Sequence, residues 1–96
     1  MYNIKSSAVN LVYTETVVLN PSKDCIVSME VKNKNDFTAY VSFRTVKNLY
    51  KNVPVAPMKK ISIPEFVVKK NVPLYGNADY FASGNVDCTL NISELN

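Results

Sequence analysis

Chemistry on a protein needs groups that move protons, attack bonds or hold metals, and this chain offers few of them in company. It contains no histidine, the commonest general base near neutral pH. A serine nucleophile would need some other base, and no Gly-x-Ser-x-Gly elbow is present. Two glycines in all leave no loop that could cradle phosphate. The carboxylates Asp24, Glu30, Asp36, Glu65, Asp79, Asp87 and Glu94 are scattered, with no spacing that pairs two of them across a sugar bond. Calcium wants clustered oxygens in an acidic loop with glycine. "KNKND" sets one acid among lysines, and "YGNADY", residues 75–80, reads as a turn. The chain is therefore read as non-enzymatic, with no metal and no cofactor.

Two thiols, Cys25 and Cys88, cannot close a zinc site by themselves. Both fall on the apolar parity of strand-like segments, as small buried hydrophobes do. A disulfide between the faces of a sandwich is geometrically conceivable, but a cytoplasmic thiol normally stays reduced. The opening "MYNIKSSAVN" has no apolar h-region, so the chain is expected to be made in the cytoplasm. No apolar run approaches the ~20 residues that cross a bilayer. The net charge is +3, carried by dispersed lysines and the single arginine Arg44. Readers of nucleic-acid sequence favour arginine for bidentate contacts, so no specific nucleic-acid partner is expected.

The elements that would position any site are strands. β-Branched and aromatic residues dominate and helical periodicity is nearly absent. Residues 2–9 and 10–19 are two candidates, the second with Leu11, Tyr13, Val17 and Leu19 on one parity. "NPSKD" at 20–24 is a turn. Residues 25–33 place Cys25, Val27, Met29 and Val31 on one face, and "NKND" reads as a hairpin loop into residues 37–46. There Phe37, Ala39, Val41 and Phe43 are expected inward, and Thr38, Tyr40, Ser42 and Arg44 outward. Pro54 and Pro57 make residues 47–60 an edge or a crossing between sheets. Pro64 splits residues 61–68 into two short strands at a corner, residues 69–79 are a turn region, and "DYFASG" at 79–84 is a strand. The chain then runs through "NVDCTLNISEL", with Val86, Cys88, Leu90 and Ile92 on one parity and polar residues on the other, the mark of a half-buried strand. Such spacing predicts a single antiparallel β-sandwich, jelly-roll or Ig-like, of about seven or eight short strands over residues 1–96.

The outward parity is rich in Ser, Thr and Asn: Thr14, Thr16, Ser28, Thr38, Ser42, Thr89, Asn91 and Ser93. A soluble, nearly uncharged face packs against a like surface without desolvating ions. Six tyrosines and four phenylalanines stand without tryptophan. Exposed tyrosines supply contact area at low entropic cost.

The layout resembles a family of small β-sandwich virion proteins of tailed bacteriophages, marine ones especially. Val17 to Asn33, "VVLNPSKDCIVSMEVKN", Ile61 to Ser83, with "EFVVKKNVPLYGNADYFAS", and Val86 to Leu95 carry the likeness. The resemblance implies a structural subunit in the virion, at the capsid, neck or tail, that associates with itself and with larger capsid, portal or tail proteins. Many relatives have a Gly- or Ser-rich hairpin where this chain has "KNLYKNVPVAPMKK", and that segment is read as a particle-specific contact loop. Contact residues are expected at Leu49, Tyr50, Val53, Val55 and Met58, with Tyr75 and the outward Tyr40. Two rival functions are a glycan-binding module using Tyr40 or Tyr75, and an ssDNA-binding β-barrel with lysines along the backbone and tyrosines stacking on bases.

Overall fold

A computed structural model describes residues 2–95 of the chain. Eight strands follow one another: β1 (Tyr2–Leu11), β2 (Thr16–Leu19), β3 (Cys25–Asn33), β4 (Ala39–Arg44), β5 (Asn48–Val55), β6 (Lys60–Val68), β7 (Leu74–Ala78) and β8 (Val86–Leu95). One 3-10 turn, Tyr80–Ala82, lies between β7 and β8. Among the described residues no helix is long and apolar enough to cross a membrane.

The strands form two four-stranded antiparallel sheets, ordered β1-β8-β3-β6 and β2-β7-β4-β5. The pairing is nested: β1 with β8, β2 with β7, β3 with β6 and β4 with β5. The chain is thus one long two-stranded ribbon folded back at the β4–β5 turn. The ribbon then wraps, and its successive segments join through β8–β3 in one sheet and β7–β4 in the other. This winding is a jelly roll.

Alternation along each strand supplies the core. In β8 the residues Val86, Cys88, Leu90 and Ile92 are all buried, and in β3 so are Cys25, Val27, Met29 and Val31. Ala39, Val41 and Phe43 meet them from the other sheet. Phe43 is the largest fully buried side chain, and its ring occupies the space over Gly76. A Cβ at that position would stand 2.8 Å from Phe43 Cε1, closer than packed atoms tolerate.

Several local expectations change. The polar loop after β3 is not a hairpin, because β3 and β4 lie in different sheets. It is an arch that carries the chain across the sandwich, and the fully buried Asn33 makes the crossing possible. Its Nδ2 donates to the carbonyls of Phe37 (2.7 Å), Val55 (3.0 Å) and Ala56 (3.3 Å). Its Oδ1 accepts from the backbone N and the Nδ2 of Asn35, each at 2.9 Å. Asn85 Nδ2 donates in turn to Asn35 Oδ1 at 3.1 Å. Backbone groups that leave one sheet before reaching the next find their partners here. Phe37 lies on the arch and is 40% exposed, not inward. Bends at residues 13–14 reset the parity before β2, so Val18 is buried while Tyr13 and Val17 are exposed. Pro64 does not split β6, because β6 is an edge strand and a shift in the β3–β6 register between Val27 and Met29 absorbs the irregularity. Residues 74–78 are a strand where a turn was expected, and residues 80–82 a 3-10 turn where a strand was expected.

Replacing Asn33 by Ala strands several buried backbone groups at once. It is expected to lower unfolding stability by about 2–3 kcal/mol, measured by denaturant titration. A second expectation concerns pH. Lys5 Nζ lies 3.0 Å from Glu94 Oε1 across β1 and β8. Its hydrogen bond holds the Glu94 carboxyl below the ordinary value of 4.5, with Asn3 adding a weaker one. A depressed carboxylate stabilises the fold above its unfolded pKa, and that contribution is lost as pH falls through the folded value. Melting temperature followed from about pH 6 to about pH 3 should therefore fall less steeply in Lys5→Gln than in the parent chain.

Candidate functional site

The 3-10 turn presents an unusual pair of neighbours, Tyr80 and Phe81, at 69% and 82% exposure. A chain seldom leaves two large adjacent rings in water without a use for them. The turn is nonetheless firmly held. Ala82 is wholly buried beneath it. Gly84, at φ +84, donates its N–H to Leu11 O at 2.9 Å, a conformation an L side chain rarely adopts. Asp79 exchanges two bonds with Tyr40: its N–H donates to Tyr40 O (2.9 Å), and its Oδ1 accepts from Tyr40 N (2.8 Å). Tyr13 N donates to Ser83 Oγ at 3.0 Å. The rings therefore stand on a rigid base.

Other aromatics gather around them. Tyr13 meets Tyr80 edge-on with centroids 5.2 Å apart, and Tyr80 meets Phe81 likewise at 5.8 Å. Such T-shaped contacts fix ring positions. On the other side an open depression of about 480 Å³ is lined by Phe37, Thr38, Tyr40, Asp79 and Phe81. Phe37 and Tyr40 are themselves 40% and 45% exposed. The result is a rim of five aromatic side chains at one end of the sandwich, its hollow lined by the Asp79 carboxylate and the hydroxyl-bearing Thr38 and Tyr40 but by no lysine or arginine.

The residues singled out from sequence divide. Tyr40 joins this end. Val55 is wholly buried and belongs to the core, which removes it as a surface contact. Tyr50 and Val53 are partly buried and pack against the core, and Tyr50 meets Phe66 edge-on at 6.2 Å, closing the β5–β6 side of the sandwich. The reason is a register shift between Val41 and Phe43, where Asn52 takes φ 52 and turns Tyr50 inward. Leu49 and Met58 are exposed, but on separate segments, Met58 in the β5–β6 loop at φ 58. Tyr75 is half-buried on the outer face of β7, with the Arg44 guanidinium 4.6 Å over its ring. Arg44 also grips Glu15 through both carboxylate oxygens. This pairing holds the Glu15 carboxyl below its usual range and raises Arg44. A smaller hollow of about 140 Å³ beside it is bordered by these already paired charges.

Phe81, Tyr80 and Tyr13 were missed. A strand over residues 79–84 would send neighbouring rings to opposite faces and hide one of them. Asp79 ahead of the rings and Ser-Gly behind them are the turn signals that mark the alternative.

The thiols are buried in one sheet. Cys25 sits opposite Glu94 and Cys88 opposite Val31, six ladder positions apart, or about 20 Å. A disulfide needs Cα atoms within about 7 Å, so none joins them. Among the described residues no three of Cys, Asp or Glu are placed to hold a metal ion. Comparison with protein-family models, with curated proteins and with solved structures finds no match to this chain.

Burial pushes the Cys88 thiol up to about 12 and raises that of Cys25, which lies near Glu94 and Asp24. Both should stay unreactive toward a thiol-disulfide reagent at about pH 8, where a free thiol is partly ionised. Full titration of both is expected only in denaturant.

Proposed function

We propose that this chain is a non-enzymatic structural subunit of a tailed-phage particle, at the capsid, neck or tail. It docks on a larger virion protein through its aromatic end and packs against copies of itself. The observation that carries this reading is the rigidly mounted rim of Tyr13, Phe37, Tyr40, Tyr80 and Phe81. Interface cores are enriched in such aromatics and depleted in charge. The resemblance to small virion sandwiches supports the same reading. So does the jelly-roll winding, an architecture that viral capsid domains use and that lends itself to many functions.

Carbohydrate recognition is the second reading, and the hollow between Phe37, Tyr40 and Phe81 favours it, because Asp79 and Thr38 stand where sugar hydroxyls would need partners. Lectin domains also use jelly rolls. The ssDNA reading gains nothing from the hollow, since no lysine lines it among the rings.

Mass spectrometry of purified particles is expected to find the chain at a fixed copy number. Phe81→Ala should leave the fold intact and weaken docking about 30-fold, as truncation of an anchoring ring of about 2 kcal/mol does. A chain absent from the particles overturns the structural reading. A chain that instead binds a host polysaccharide, with the affinity lost in Tyr40→Ala, establishes the second.

A further inference from the structure

A jelly roll built from two open sheets has four edge strands, here β1 and β6 in one sheet and β2 and β5 in the other. Exposed edges invite pairing with foreign strands, and proteins blunt them with proline, bulges, lysine or brevity. Three of these four are blunted. β6 carries Pro64, a register shift and flanking lysines. β5 carries Pro54, Lys51, the left-handed Asn52 and two register shifts. β2 has four residues and a register shift.

β1 has none of these devices save Lys5. It runs ten residues in unbroken register with β8, from Tyr2 opposite Leu95 to Leu11 opposite Val86. Residues 3–8 are exposed on both faces, because the short β2 does not reach over them. Among the described residues no backbone group outside β8 and its preceding loop bonds to β1. Lys5 is already neutralised by Glu94 at 3.0 Å, so its charge does little to repel a second strand.

We infer that β1 is a self-pairing edge, and that two copies join antiparallel through it into a continuous eight-stranded sheet. This rests on the assembly reading above and names its first step. A second copy fits because the strand is complementary to itself. Both sandwiches keep their cores on the same side only if the two-fold axis passes through one residue position. An axis at Ser6 sets Ser6 opposite Ser6, Lys5 opposite Ser7 and the exposed Ile4 opposite Ala8. Apolar meets apolar at Ile4 and Ala8, polar meets polar at Lys5 and Ser7, only Asn3 among residues 3–9 stands against an apolar partner, Val9, and no like charges are directly opposed. An axis at Ser7 would instead set Ile4 against Asn10 and Lys5 against Val9. With the other three edges blunted, pairing stops at two copies and does not run on as a fibre.

Sedimentation of the full chain over a wide concentration range tests this. The parent chain is expected to show a monomer–dimer equilibrium. Ser6→Lys and Ser6→Glu, each with an unchanged melting profile because Ser6 is exposed, should each weaken the dimer about fivefold by opposing like charges at the axis. Mixing the two variants should restore it as a heterodimer. A parent chain that stays monomeric at its highest soluble concentration overturns the inference, as does a dimer indifferent to both substitutions, or a mixture no tighter than its parts. A monomer whose β1 pairs only with a different virion protein also overturns it. Phe81→Ala serves as the control. It should leave the dimer untouched while docking on the particle fails, so loss of one reading does not carry away the other.

Discussion

Asn33 is the side chain on which the winding depends. A jelly roll must pass its chain from sheet to sheet several times, and each passage takes backbone groups out of one ladder before the next begins. At the β3–β4 passage Asn33 and Asn35 are buried, and the groups beside them are out of reach of water. One amide serves three carbonyls with its two N–H groups, one of them shared, and accepts two bonds. Its reach is wider than the arch. The carbonyls of Val55 and Ala56 belong to the end of β5 and the loop after it, and Asn35 ties in Asn85 at the start of the approach to β8. Three connections are pinned to one another at the end of the sandwich where the aromatic rim stands. Asn85 also donates its backbone N–H to Ala82, the buried foot of the turn that lifts Tyr80 and Phe81. The aromatic rim is thus braced from below by a buried amide that bonds the Phe37 carbonyl and reaches the Tyr80–Ala82 turn through Asn35 and Asn85.

Much of the fold was legible because period-two alternation is strong where a strand is central. Val86, Cys88, Leu90 and Ile92 are read straight from the chain, and so are Cys25 through Val31 and Ala39 through Phe43. What alternation does not encode is which strand a segment pairs with. "NKND" suits a hairpin and an arch equally, and only the burial of the asparagine before Lys34 decides between them. Parity also fails across irregularities. Bends at Tyr13 and Thr14 exchange the faces of Val17 and Val18. The left-handed Asn52 does the same for Tyr50, sending inward a ring that its loop-like surroundings had marked for the surface. Of the expected contact residues Tyr40 reached the aromatic end, because it lay on a regular strand whose parity held. Phe81 and Tyr80 did not announce themselves, since two adjacent rings look like strand until the flanking Asp and Ser-Gly are given weight.

The two surfaces point in different directions. The aromatic rim closes one end, across the tops of β4, β7 and β8, whereas β1 runs along the side of the sheet that holds β8. The body is long and narrow, 41 × 22 × 17 Å, so end and side are well separated over much of its length. On the proposed reading, a small body with an aromatic end and an open side joins a neighbour laterally while gripping a support beneath, without either contact excluding the other. The neutral Ser, Thr and Asn face on β8, at Thr89, Asn91 and Ser93, lies beside β1 and would continue smoothly across a joined sheet.

The nested ribbon also sets the order in which the chain can acquire its shape. Only β4 and β5 are neighbours both in sequence and in a ladder, whereas β1 must wait for a partner 75 to 93 residues downstream, from Leu11↔Val86 to Tyr2↔Leu95. Contacts this distant are slow to form, because the intervening loop must be closed first. The strand in question, β8, is central to its sheet and is the last of the eight to leave the ribosome. Until it inserts between β1 and β3, neither of those strands has that neighbour, and the edge suited to lateral joining has no fixed register to offer. Late insertion of β8 therefore fixes the register of β1 and β3 together, so the long outer edge of that sheet takes its final form only after Val86–Leu95 has been made.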